Sequence, residues 1–241
     1  MEFFMTNINI IRAHERGRSR LGWLDSYHSF SFGEYYNARR MGFGPLRVIN
    51  DDIVSGGSGF GTHPHRDMEI VSIPLRGALA HKDSMGHTET IVVDEVQAMT
   101  AGSGITHSEF NPSAHDEVNF LQIWLLPRKT GLPPAYGQKK FAREDAQKAW
   151  QILVDGVSNN GALRINQDAR IARRFVTAGE KIDYRLAAPQ RGLYLMLIEG
   201  AVAVAEEELD RRDALELSGG SEISITARED SYLLAIDVPL P

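Results

Sequence analysis

Short apolar runs with a two-residue period recur along the whole chain. In the first half they include Leu46-Arg47-Val48-Ile49, Glu69-Ile70-Val71-Ser72-Ile73, Thr90-Ile91-Val92-Val93 and Leu121-Gln122-Ile123-Trp124-Leu125. In the second half they run from Gly192 to Ile198, Ala201 to Val204, Glu222 to Ile225 and Tyr232 to Ile236. Successive strand side chains point to opposite faces, so these runs predict half-buried strands. Turn signals separate them: Ser55-Gly56-Gly57, Asp83-Ser84-Met85-Gly86, Ala101-Gly102-Ser103-Gly104, Asn159-Asn160-Gly161 and Ser218-Gly219-Gly220. Many short strands at turn spacing predict an all-β sandwich or barrel. The one helix of note is expected from Ala142 to Ala149, where the residues are polar. Pro127, Gly131, Pro133 and Pro134 interrupt the sheet pattern. They divide the chain into an N-terminal domain over 1–130, a linker with a short helix over 131–150 and a C-terminal domain over 151–241.

A length of 241 residues is enough for two such domains. The hydrophobic share of 42% and the charged share of 24% are ordinary for a globular protein. A net charge of −6 gives no reason to expect nucleic acid as a partner. No apolar run reaches the roughly 18 residues of a membrane span. The start, Met1 to Asn7, is apolar only briefly and leads to Arg12, Arg16, Arg18 and Arg20, unlike a signal peptide. The chain has no cysteine. Disulfides, thiolate metal sites and a cysteine nucleophile are thereby excluded, and a cytoplasmic location is expected.

The histidines change the picture. All eight (14, 28, 63, 65, 81, 87, 107 and 115) precede residue 116. Only the first domain is therefore equipped for imidazole ligation. In Gly61-Thr62-His63-Pro64-His65, residues i and i+2 of a strand share a face, so both imidazoles can reach one ion. Pro64 lacks an N–H, which predicts a sheet edge or a bulge. Gly104-Ile105-Thr106-His107-Ser108-Glu109 repeats the arrangement with His107 and Glu109. Three imidazoles and a carboxylate suit iron, zinc, copper, nickel, cobalt or manganese better than calcium or magnesium. A shell with open positions would be catalytic, and a closed one structural.

The remaining histidines read differently. His28 shares a face with Phe30 and Phe32 and is expected to be packed. His81 and His87 flank a turn and are expected to be solvated, His115 to lie in a loop, and His14 in a polar stretch. Of the large side chains near the motifs, Met68, Met99, Phe60, Phe110 and Trp124, most are expected in the core, with one or two lining the mouth of the site.

Five segments together resemble the pirin family of bicupins, and within it the bacterial quercetin 2,3-dioxygenase branch. They are Gly22 to Phe32, Leu46 to Asp52, Gly61 to Glu69, Ala101 to Glu109 and Leu121 to Trp124. The resemblance implies two tandem cupin β-barrels of the double-stranded β-helix, or jelly-roll, type. It implies metal ligation by His63, His65, His107 and Glu109. Many cupins ligate through a glutamate at the position of Glu69, but in pirins the later glutamate replaces it. Glu69 is then a pocket or supporting residue. Gly102 stands where the generic cupin motif has proline, as in pirins. The resemblance further implies Fe(II) as the usual ion, with Zn, Ni, Co, Mn or Cu as alternatives, and a second barrel without metal. The activity implied is dioxygenase opening of a flavonol-like aromatic substrate by dioxygen, with Glu109 as ligand and base. The alternative is a metal- or redox-responsive protein that acts on a protein partner without turnover, and other cupin reactions such as isomerisation share the same ligands.

Overall fold

The computed structural model describes residues 6–188 and 190–241. Met1 to Met5, the briefly apolar start, lie outside the described residues. The chain forms two units, Gly17–Phe141 with Leu163–Gln167, and Met1–Arg16 with Ala142–Ala162 and Asp168–Pro241. Each has the same architecture, two antiparallel sheets sharing one apolar core.

In the first unit the larger sheet runs, in spatial order, Ala135–Lys140, Glu95–Thr100, Glu69–Arg76, Val118–Leu125, Leu46–Val54, Leu24–His28 and Gly17–Arg20. The smaller runs Gly59–His65, Ile105–Phe110, Ala78–Asp83 and Thr88–Val92. Leu24, Val54, Val118 and Phe120 of the larger sheet pack against Leu79 and Ile91 of the smaller. A second cluster joins Ile70 and Met99 to Ile105. Each such side chain, withdrawn from water, contributes roughly 1.5–3 kcal/mol. The apolar and polar alternation read in the sequence is what lets each strand serve both the core and the outside.

In the second unit the larger sheet runs Asn7–Ile11, Ala214–Ser218, Arg191–Glu199, Ser231–Pro239, Arg170–Val176 and Gln151–Asp155. The smaller runs Lys181–Arg185, Glu222–Ala227, Val202–Val204 and Glu207–Leu209. Leu193, Leu195 and Leu197, at period two, meet Val202, Val204, Ile223 and Ile225 in its core. The predicted helix spans Arg143–Lys148, between Ala142 and Ala149 as caps. Among the described residues, no helix is long and apolar enough to cross a membrane.

The unit boundaries differ from a simple cut at 131–150 in three places. Asn7–Ile11 pairs with Ala214–Ser218, so the described start of the chain belongs to the second unit. Ala135–Lys140, expected as linker, is an edge strand paired with Glu95–Thr100. Leu163–Gln167 returns to the first unit, where the Asn166 amide donates to Thr100 Oγ1 at 3.1 Å. Pairings between segments far apart in sequence leave no local signature. An edge strand as polar as Tyr136-Gly137-Gln138-Lys139-Lys140 does not show the alternation that marks a half-buried one.

Candidate metal centre

Two neighbouring strands build the site. Gly59–His65 lies at the edge of its sheet and pairs antiparallel with Ile105–Phe110. The edge accommodates Pro64, as its missing N–H requires. Ile105 stands opposite His65 and His107 opposite His63, so the two motifs meet face to face. Between His107 and Glu109 the register slips by one residue, and Glu109 comes to oppose Phe60. Such a bulge bends the strand and re-aims its side chains. The turn before Ile105 depends on Gly102. Its φ of +48° and the Leu132 carbonyl, 2.0 Å from where a Cβ would sit, leave room for no side chain.

The rings of His63, His65 and His107 form a compact trio. Their centroids are 4.8 Å apart for His63–His65, 4.5 Å for His63–His107 and 4.8 Å for His65–His107. One nitrogen from each lies within 4.8 Å of the others. Ligands on one ion with bonds of about 2.0–2.1 Å stand within about 4 Å of each other, so this spacing fits a single ion after small ring adjustments. The hydrogen bonds point the same way. His63 Nδ1 lies 2.8 Å from the Gly61 carbonyl, which can only accept, so Nδ1 carries a proton and Nε2 is the nitrogen left to ligate. The Nε2 atoms of His65 and His107 are buried with no hydrogen-bond partner. A buried polar atom left unpaired costs about 1–3 kcal/mol, and a bound cation would offset that cost.

Burial and neighbouring rings keep His65 and His107 neutral, the form that ligates. Burial, with the neighbouring His63, lowers His65 to about 4. Burial, with His63, His65 and His81 close by, lowers His107 to about 2. A consequence for the metal-free protein follows by linkage. In the unfolded chain both rings take up protons as pH falls through about 6.5, while the folded protein does so only near 4 and 2. Stability is therefore lost as pH falls below about 6.5. Melting the metal-free protein from pH 7.5 to pH 5 should show a falling midpoint, and the fall should be smaller in His65→Asn. An equal fall in both would exclude the His65 imidazole as a source.

Glu109 is 3% exposed and held apart from the trio. The Gln122 amide donates to its two carboxylate oxygens at 3.0 and 2.9 Å, and the Ser72 hydroxyl reaches Oε1 at 3.4 Å. Burial pushes its pKa up against those bonds and against the nearby His81 and His63. Its closest candidate companions are His81 and His107, a second trio that shares His107 with the first. The structure thus brings His63, His65 and His107 together and sets Glu109 beside His107.

Glu69 is fully buried but engaged elsewhere. It accepts from Thr100 Oγ1 at 2.7 Å and from Asn166 at 3.4 Å, and it is in neither trio. His28 is packed as expected, 1% exposed, between Ser19 and Asn50. His14 and His115 are exposed, and His87 is partly so. Trp124 sets its edge against His65, with centroids 4.9 Å apart, and Phe110 is exposed at 41%. His81 reverses its expectation. It is 1% exposed, because Leu79, His81 and Asp83 alternate inward along Ala78–Asp83. The signal for it was present as His81-Lys82-Asp83 in phase with an apolar residue, and proximity to the Gly86 turn obscured it.

Similarity to known proteins agrees with this geometry. The Pirin family matches residues 11–125, and the quercetinase C-terminal cupin domain matches residues 152–238. A quercetin 2,3-dioxygenase of Escherichia coli K12 is 40% identical over 232 residues, covering 96% of this chain and 99% of that protein. A pirin-like protein of Caulobacter vibrioides is 39% identical, covering 90% of this chain and 93% of its own. The crystal structure of YhhW from Escherichia coli superposes with a TM-score of 0.93 at 39% identity, covering 98% of this chain and 99% of that one. The same comparison with YhhW in complex with nickel(II) gives a TM-score of 0.92. With matches to both of its halves and relatives spanning nearly its full length, the chain belongs to the pirin family of bicupins.

Proposed function

We propose that this protein is a metal-dependent dioxygenase that opens a flavonol such as quercetin with dioxygen. The observation that carries the reading is the trio of imidazoles on two paired strands, with unpartnered Nε2 atoms on His65 and His107. The names of the relatives, quercetin 2,3-dioxygenase at 40% identity, support the substrate class. His63, His65 and His107 would hold one divalent transition metal, with Glu109 as the fourth ligand. Fe(II) is the first choice, and Zn, Ni, Co, Mn and Cu are alternatives. Nickel(II) is the ion in a related structure.

When bound, the ion supplies Lewis acidity toward a flavonol hydroxyl and open positions for the reactants. The protein's own groups do the rest. Glu109, once released from the ion, would be the base that takes the hydroxyl proton. Gln122 steadies the carboxylate through both oxygens. The edge of Trp124 beside His65, backed by Phe32 at 5.4 Å, offers an aromatic wall to a planar substrate. The reading places the protein in the cytoplasm.

The test is to load the purified protein with each ion in turn and follow quercetin absorbance together with oxygen uptake. Matched loss of both with at least one ion is expected. Folded, metal-loaded protein that consumes neither with any ion would end the oxygenase reading and leave the metal centre standing.

A further inference from the structure

We infer that His81, anchored by Asp83, is a positioning residue that holds His107 in the tautomer with a bare Nε2. The inference rests on the reading of His63, His65 and His107 as ligands of one ion.

It begins at Asp83, 7% exposed. Its Oδ1 accepts the backbone N–H groups of Met85 at 2.9 Å and His87 at 3.1 Å. Its Oδ2 faces His81 Nε2 at 3.1 Å and His87 Nδ1 at 2.9 Å. Burial works to raise this carboxyl, but those four bonds outweigh it and hold the group below the usual carboxylate range. An ionised carboxylate can only accept, so His81 carries its proton on Nε2.

The Gln97 amide nitrogen, which can only donate, faces the other nitrogen of His81 at 3.1 Å and marks it as a lone pair. His107 Nδ1 faces the same nitrogen at 3.5 Å. A bare Nδ1 on His107 would set lone pair against lone pair inside the core. His107 therefore carries its proton on Nδ1 and leaves Nε2, buried and unpartnered, for the ion. The backbone register fixes the arrangement, because His107 stands opposite Asp83 and Glu109 opposite His81 on the neighbouring strand. With both ring nitrogens engaged, His81 serves the centre as a support and not as a ligand, although it lies within ligand distance of His107 and Glu109. Partners of this kind fix the ring and raise its donor strength, and losing one weakens metal binding by about 10–100-fold.

The experiment uses the full chain labelled with 15N and long-range proton–nitrogen correlation spectra of its imidazoles, taken metal-free. Expected are His81 protonated on Nε2 alone and His107 on Nδ1 alone. A proton on His107 Nε2 in the parent overturns the inference, as does His81 protonated on both nitrogens with Nδ1–H given to the Gln97 carbonyl. These results need no variant to fold. Zinc titrations then compare the parent with two variants. His81→Phe fills the space without an acceptor, and zinc affinity should fall about 10–100-fold with a change in the His107 nitrogen shifts. His81→Asn restores an acceptor near the Nδ1 position and should recover most of the affinity. Folded His81→Phe that binds zinc as tightly as the parent sinks the inference. A parent that binds no zinc sinks the ligand reading instead, while the metal-free tautomers still decide the role of His81.

Discussion

His107→Ala should abolish metal binding and, with it, turnover of a flavonol. His107 is the residue common to both candidate trios, and its Nε2 is buried without a partner. Its loss leaves two imidazoles on the edge strand and a carboxylate tied to Gln122. Removing a ligand itself should exceed the 10–100-fold loss that follows removal of a supporting partner. Melting curves with and without metal give the cleanest measurement. An ion at 100 times its Kd stabilises a folded protein by about 2.7 kcal/mol, which the parent should show as a raised midpoint. The variant should show no rise at the same concentration. His107→Gln guards against a cavity effect, since it keeps most of the volume and should fail in the same way. A variant whose midpoint still rises as the parent's does would remove His107 from the centre.

Arg191→Met should cost about 3–5 kcal/mol of stability, by a route that touches none of the proposed metal ligands. Arg191 is 7% exposed and its Nε donates to Asp237 Oδ1, while Asp237 is fully buried. Its Nη1 also bonds Asp168 at 2.8 Å, and Nη2 bonds the Asp237 backbone carbonyl at 3.1 Å. Methionine keeps the apolar stem but removes the hydrogen-bonded counter-charge, leaving the Ala187 N–H at 3.2 Å and the charge of Arg170 on the neighbouring strand. The energetic penalty is that of an uncompensated buried charge. The double variant Arg191→Met, Asp237→Leu should therefore recover much of the loss. Urea unfolding of the metal-free proteins measures both. If the double variant is as unstable as the sum of two damaging singles, lost packing and not the stranded charge is the cause.

The candidate ligand pairs were legible because they depend on local stereochemistry. Side chains two apart on a strand share a face wherever the strand lies, so His63 with His65 and His107 with Glu109 could be paired from spacing alone. Pro64 likewise announced an edge or a bulge, since a missing N–H has the same consequence in any sheet, and the strand is at an edge. The alternating runs marked the strands, and the polar stretch after Ala142 marked the helix. The absence of histidine after residue 115 could be read by counting.

What the spacing did not contain was the relation between segments. That Gly59–His65 and Ile105–Phe110 are hydrogen-bonded neighbours, with His107 opposite His63, follows from pairing across some forty residues. The one-residue slip against Gly59–His65, and the regular register that sets Glu109 opposite His81, belong to pairs of strands and to no strand alone. His81 and Asp83 look like turn residues in one dimension, and become the buried support of a candidate ligand only when their strand lies beside that of His107. The same holds for Asn7–Ile11 and Ala135–Lys140, whose units are set by their partners. The sequence by itself determined the strand alternation, the ligand types and their pairing on faces, because these follow from covalent geometry and residue chemistry. Only the tertiary structure decided register, burial and hydrogen-bond partners, because these depend on which distant strand supplies the other half of each contact.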